Sequence, residues 1–281
     1  MIKTVKIIAI LISIIIFIFI FSLMHCLFLR RRQYYISYLT RIFSKIAVYL
    51  MGIKIEVCGK RKLSSQKGIF FVTNHVSYLD GIIISSVFPL IFIARGDLKN
   101  WPFFGIFSLI SDTIFVNRSD PSNLRREIQK ISSFLASGTN VILFPEGTTT
   151  NGNSITPFKS SFFEAPLASH SLVVPFTISY NRINSSPIDA KNKDLIFWYG
   201  DMKFLPHLIG VLSLKNIEVQ LKVLEPIEIS AGQDRKELSV IARKAIEANL
   251  VPRSPNGGVL RDRNPRVFPP KADPPLAETR G

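Results

Sequence analysis

From Ile7 to Leu29 the chain runs without a formal charge, and no other feature limits its folding choices as tightly. Roughly 23 residues at ~1.5 Å each make a helix about 34 Å long, enough to cross a hydrocarbon core of ~30 Å. A cleaved signal peptide has a shorter apolar region, about 7–15 residues, and ends in small side chains. This segment is longer and ends in Arg30, Arg31 and Arg32. A core helix seldom lacks a polar stripe. The segment therefore reads as an uncleaved membrane anchor. Arg30, Arg31, Arg32, Arg41 and Lys45 outnumber Lys3 and Lys6, so the positive-inside rule predicts a main domain on the cytoplasmic side. The whole chain carries a formal charge of +15 with a mean hydropathy of +0.26. Basic and apolar together point to an anionic membrane surface rather than to nucleic acid. The 22 Phe fall mostly inside apolar runs, not interleaved with Lys and Arg as on a nucleic-acid surface. Of the two cysteines, Cys26 lies in the apolar segment and Cys58 beyond it, so no structural disulfide is expected. No C-x-x-C or H-E-x-x-H spacing suggests a metal.

A second apolar and aromatic stretch runs from Tyr34 to Gly52. Its Tyr34, Tyr35, Tyr38, Leu39, Ile42, Phe43, Ile46, Ala47 and Leu50 recur at helical spacing, which suits a helix lying on a membrane or packed under the domain. Strands are predicted at Ile53–Gly59, Ile69–Thr73, Leu90–Ala94, Thr113–Val116, Asn140–Phe144, Leu172–Ser179 and Ile217–Leu224. Between them come helices at Gly81–Val87, at Trp101–Leu109 and from Pro121, capped by Asp120 and ended by Gly138. In that last helix Leu124, Ile128, Ile131, Phe134 and Leu135 share a face. A further helix spans Asp234–Leu250, with Leu238, Ile241, Ala242, Ala245 and Ile246 inward. This alternation predicts an α/β fold: a mixed, largely parallel sheet flanked by helices, carried on the N-terminal helical anchor. Residues 1–52 form the anchor segment and 53–250 the α/β domain. Residues 251–281 are rich in Pro and Arg, and too poor in apolar side chains to build a core.

Two stretches carry chemistry. In the first, Asn74-His75-Val76-Ser77-Tyr78-Leu79-Asp80 follows a predicted strand. An aspartate holding one imidazole nitrogen leaves the other free to take a proton from a hydroxyl. Of the four histidines only His75 has this setting; His170 and His207 receive no role. The plain alternatives are a structural histidine at a strand end and an Asp80 that caps the helix beginning near Gly81. In the second, Phe144-Pro145-Glu146-Gly147-Thr148-Thr149-Thr150 also follows a strand, and offers backbone N–H groups and hydroxyls to an oxyanion or phosphate.

Together these blocks resemble those of the PlsC-like glycerolipid acyltransferases, whose order is N-H-x-x-x-x-D, G-x-x-F-x-x-R, F-P-E-G-T and V-P. Here the order runs Asn74-His75…Asp80, Phe115…Arg118, Phe144-Pro145-Glu146-Gly147-Thr148 and Val174-Pro175-Phe176. The likeness covers roughly Ile53 to Leu224. It implies transfer of a fatty acyl group from acyl-CoA or acyl carrier protein to a lysolipid hydroxyl, with the thioester as co-substrate and no further cofactor or metal. His75 would be the general base and Asp80 its orienter. Asn74, Ser77, Phe115, Arg118, Glu146, Gly147, Thr148 and Lys159 would line the substrate site, with Arg118 on an acceptor phosphate. The first expectation for the product is phosphatidic acid, made from 1-acylglycerol-3-phosphate. A lyso-ornithine lipid or another lysophospholipid is the alternative acceptor, and a non-catalytic lipid-binding protein the alternative class. A bacterial cytoplasmic membrane is the expected location. Three positions depart from the pattern on the expected acceptor side: Asp112 and Ser161 stand where the family has glycine, and Thr149 where arginine often follows.

Overall fold

Strongly apolar runs form the centre of a single sheet in the computed structural model, which describes residues 2–26, 32–59, 68–100, 111–116 and 121–250. The strands are β1 (Ile53–Cys58), β2 (Phe70–Thr73), β3 (Ile91–Arg95), β4 (Ile114–Val116), β5 (Val141–Leu143), β6 (Val173–Ile183), β7 (Ser186–Pro187) and β8 (Ile217–Val223). Their order is β1-β8-β6-β2-β5-β3-β4, with β7 paired to β6. β2 runs parallel to β5 and β6, β3 to β5 and β4, and β1 to β8. Among the described strands only β6 with β8 and β6 with β7 are antiparallel, and Val173 adds an isolated antiparallel bridge to Ile227. This is the mixed, largely parallel sheet expected. Every residue of β2 and β5 is buried, as parallel strands covered on both faces must be. Successive side chains of β2 point to opposite faces. Phe71 accordingly joins one apolar cluster, and Phe70 and Val72 join another.

The helices are α1 (Ile2–Cys26), α2 (Arg32–Met51), α3 (Leu79–Val87), α4 (Pro121–Ala136), α5 (Glu164–Ser169), α6 (Phe204–Leu212) and α7 (Arg235–Asn249). In α4 the five apolar positions named from sequence all pack into the second cluster. Gly138 follows it at φ 87°, and the Gly138 and Thr139 amides close on Leu135 and Phe134, a left-handed glycine terminus. Asp234 caps α7, accepting from the amides of Lys236 (2.6 Å) and Glu237 (2.8 Å). Leu238, Ala242 and Ile246 of α7 are buried, but Ile241, expected inward, is 41% exposed. It lies about 60° round the helix from Leu238, on the flank of the buried stripe. The predicted Trp101–Leu109 helix, the Asp120 cap and the 251–281 tail lie outside the described residues. α5 and α6 were not foreseen. β6 is longer than its apolar run suggests. It continues to Ile183 and turns through Asn184 and Ser185, both at positive φ, into β7, a two-residue hairpin of the kind that tolerates such residues.

α1 and α2 form an antiparallel hairpin. Phe17 stacks on Phe43 with ring centroids 4.5 Å apart, and Ile14, Phe21 and Leu39 pack around them. Further along, Ile10 reaches the main cluster and Lys6 Nζ donates to the Leu214 carbonyl (3.1 Å). The stretch Thr4–Leu23 has a mean hydropathy of 3.0 and is long and apolar enough to cross a membrane. The hairpin bears on the positive-inside expectation, which requires α1 alone to separate Lys3 and Lys6 from the domain. Because α2 brings the chain back, the start of α1 sits beside the domain. α2 also shows two apolar faces rather than one. Ile36, Phe43, Ala47, Val48 and Met51 are buried, with Ser37, Thr40 and Ser44, while Tyr35, Tyr38, Ile42, Ile46 and Tyr49 are exposed. The buried face packs on α3 and α1.

Ile142, in the middle of β5 between β2 and β3, is fully buried. Ile142→Ala should lower unfolding stability by about 2–5 kcal/mol, read as a lower midpoint in urea titration of the detergent-solubilised protein. An unmoved midpoint would contradict its place in the core.

Candidate active site

β2, β5, β3 and β4 end at one edge of the sheet, the edge where α/β proteins bind ligands. Asn74 takes the chain out of β2 there. Its side-chain amide donates to the Ile178 carbonyl (3.1 Å) and accepts from the Ile178 amide (3.0 Å). The last backbone pair of β2 and β6 is Thr73 with Phe176, so Asn74 extends the ladder by a side chain while the backbone leaves it. The next residue is His75.

His75 Nδ1 lies 2.8 Å from Asp80 Oδ2. The same oxygen accepts the amides of Val76 (2.8 Å) and Ser77 (3.0 Å), and Oδ1 accepts the Tyr180 hydroxyl (2.6 Å). Asp80 has no exposed surface. It sits in the first turn of α3 but folds back onto the loop before it rather than capping the helix. A carboxylate accepts, so Nδ1 carries the imidazole proton and Nε2 keeps its lone pair. Nε2 meets no hydrogen-bond partner among the described residues, and the side chain is 19% exposed. Phe144 stacks on the ring at 4.0 Å and 21°, with Phe92 nearly parallel behind it.

The backbone of His75 is held as firmly as its ring. Glu146 Oε1 accepts the His75 amide (3.0 Å), and Oε2 accepts the Thr156 amide (3.0 Å) and hydroxyl (2.9 Å). The Thr150 amide donates to the His75 carbonyl (2.9 Å), and the Trp198 amide to that of Val76 (3.0 Å). Ser77 Oγ donates to the Ile196 carbonyl (2.7 Å). Asn74, Ser77 and Glu146, expected at the substrate, are therefore buried and spend their polar groups on the protein. Gly147 turns the loop after β5 at φ 76°. Thr148 and Lys159 beside it are exposed, and the Lys159 amide closes on the Pro145 carbonyl. Phe115 is half-buried on β4, three ladder spacings or roughly 14 Å from β2. Arg118 lies outside the described residues, two positions in sequence after Val116, the last residue of β4.

Two partners of the loop escaped sequence reasoning. Tyr180 is fully buried on β6, on the face of Phe176 and Ile178. Burial, then the nearby Asp80 charge, pushes its phenol well above the ordinary range, so it remains a donor. The period of two was visible, but the predicted strand stopped at Ser179. His207, on α6, donates from Nε2 to the Phe197 carbonyl (3.1 Å) and accepts the Tyr78 hydroxyl at Nδ1 (3.0 Å). Burial lowers its pKa and keeps it neutral.

Residues 54–179 match the protein family described as Acyltransferase. The lyso-ornithine lipid O-acyltransferase of Brucella abortus is 32% identical over 80% of this chain and 86% of its own length. The chain belongs to the PlsC-like acyltransferase family. The lyso-ornithine lipid O-acyltransferase of Rhizobium meliloti is likewise 32% identical, over 76% of this chain and 75% of its own. The 1-acyl-sn-glycerol-3-phosphate acyltransferase of Neisseria gonorrhoeae is 27% identical over 73% and 77%. The crystal structure of the 1-acyl-sn-glycerophosphate (LPA) acyltransferase PlsC from Thermotoga maritima shares the fold, with a TM-score of 0.58 at 21% identity over 86% of this chain and 95% of that one. The histidine and aspartate of the N-H-x-x-x-x-D block thus stand at hydrogen-bond distance in this chain.

Asn74→Ala strands two buried groups of Ile178, each worth about 1–3 kcal/mol when unsatisfied. The thermal midpoint should fall by several degrees in a scan of the detergent-solubilised protein. A midpoint equal to wild type would mean that Asn74 does not carry the ladder.

Proposed function

We propose that this chain transfers a fatty acyl group from an acyl thioester, acyl-CoA or acyl carrier protein, to the free hydroxyl of a lyso-ornithine lipid. The observation that carries the reaction is the His75–Asp80 pair with Nε2 free at the carboxyl edge of the sheet. The acceptor hydroxyl donates to Nε2. As its oxygen attacks the thioester carbonyl, the proton passes to Nε2 and Asp80 stabilises the imidazolium. The tetrahedral intermediate then expels the thiolate, which recovers the proton from Nε2 as a thiol. Attack is direct, so the protein forms no covalent intermediate. Glu146, Thr150 and Phe144 hold the imidazole in place while this happens.

The choice of acceptor rests on the names of the relatives at 32% identity. A second reading, 1-acylglycerol-3-phosphate, is favoured by the position of Arg118 in the block order and by the relatives at 27% identity that carry that name. α1 and the exposed Ile42, Ile46 and Tyr49 of α2 would rest in the anionic cytoplasmic membrane of a bacterium. The sheet edge would then lie within reach of lipid on the cytoplasmic side.

Purified protein in detergent, given acyl-CoA or acyl carrier protein and a panel of lysolipids, should yield ornithine lipid as its main product by mass. Phosphatidic acid as the main product would replace the first acceptor by the second. In that case Arg118→Ala should raise the apparent KM for the phosphate-bearing acceptor alone. His75→Ala should lose about 10²–10⁴-fold in turnover on any acceptor, and near-normal transfer by a folded His75→Ala protein would sink the mechanism.

A further inference from the structure

We infer that Tyr180 is a positioning residue of the acyl transfer, holding the Asp80 carboxylate in the one orientation that fixes His75 with Nε2 toward the acceptor. This rests on the proposed role of His75 as base. The four donors around Asp80 divide unequally between its two oxygens. Oδ2 takes three: the His75 imidazole and the amides of Val76 and Ser77. Oδ1 takes the Tyr180 hydroxyl, at 2.6 Å the shortest of the four contacts. The carboxylate has no exposed surface, so water cannot replace a missing donor without opening the core. A carboxylate anchored through one oxygen can swing about its last torsion; anchored through both, it cannot.

The phenol is itself held. Its ring meets Phe197 edge-on at 5.8 Å and packs in the main cluster. Two residues earlier, the Ile178 backbone is clamped by the Asn74 side chain, which sets β6 against the histidine loop. The pairing of β6 with β8 shifts register between Tyr180 and Arg182, so the ladder breaks directly after the tyrosine. The phenol stays protonated across any usable assay range, because burial and the Asp80 charge both raise its pKa.

Tyr180→Phe keeps the ring and removes the hydroxyl. Outer partners that orient the histidines and carboxylates of metal sites are worth ~10- to 100-fold in activity, and the phenol holds Asp80 in the same manner. We expect kcat to fall by that factor, with KM for lysolipid and thioester within about twofold. The acidic limb of the kcat–pH profile supplies the second readout. With one donor fewer, Asp80 holds the imidazolium more strongly, so His75 protonates at higher pH and the limb moves up. 3-Fluorotyrosine placed at position 180, a more acidic donor in the same space, should move the limb down, and it keeps the test alive if the phenylalanine variant folds poorly. A lower kcat with the limb unmoved in both variants would mean a packing role only and would overturn the inference. So would wild-type kcat in Tyr180→Phe. If His75→Ala is inactive, such a result removes Tyr180 alone; if His75→Ala is active, the base itself is wrong.

Discussion

A carboxylate at Asp80, closed off from solvent, persists in this fold only because four hydrogens point at it. An uncompensated ion in such a place costs several kcal/mol even after relaxation. The donors come from separate parts of the chain: an imidazole and two amides from the loop after β2, and a phenol from the far half of β6. The sheet must therefore hold β2 and β6 in one register for the charge to be satisfied. The pairing of Thr73 with Phe176 and the Asn74 clamp on Ile178 do this. Slipping β6 by one residue would turn Tyr180 to the opposite face and leave Oδ1 bare.

The same edge carries a second buried carboxylate with a related task. Glu146 ties the His75 amide to the Thr156 amide and hydroxyl, so the loops after β2 and β5 are joined by an ion rather than by apolar packing alone. His75 is consequently restrained at its amide by Glu146, at its carbonyl by Thr150, at its ring nitrogen by Asp80 and on its ring face by Phe144. One polar atom of the residue is left to act. Preorganisation of this kind places the requirement on the folded state before substrate arrives. α6 and the segment before it brace the loop from outside, through Trp198 on the Val76 carbonyl and His207 on Tyr78.

Much of this was legible in the sequence. β2 and β5 announced themselves because a strand buried on both faces is almost wholly apolar. α4 and α7 did so because their buried stripes recur at helical spacing between capping residues. His75 and Asp80 were legible because the contact is local, closed within one turn. Tyr180 and Glu146 are long-range partners, 100 and 71 positions from the groups they serve, and only strand order and register bring them there. Residue type alone did not show which polar groups are buried. Polar Asn74, Ser77 and Glu146 read as substrate contacts, and at this crowded strand end all three are buried and hydrogen-bonded to the protein. The apolar positions of α2 read as one face because small serines and a threonine on its buried side carry no hydrophobic signal.

Two of the three departures from the family pattern, Asp112 and Ser161, can be read from the backbone. Asp112 stands at a glycine position, and its φ is 50°. That left-handed conformation is one glycine adopts freely and a short Asp or Asn adopts at small cost. The substitution therefore keeps the turn into β4. Ser161 stands at another glycine position, but its φ is not positive, and it opens a short 3-10 turn, Ser161–Phe163, ahead of α5. Nothing in its backbone conformation calls for glycine. Asp112 bears on how a turn is made, and the edge that holds His75 is assembled with both changes in place.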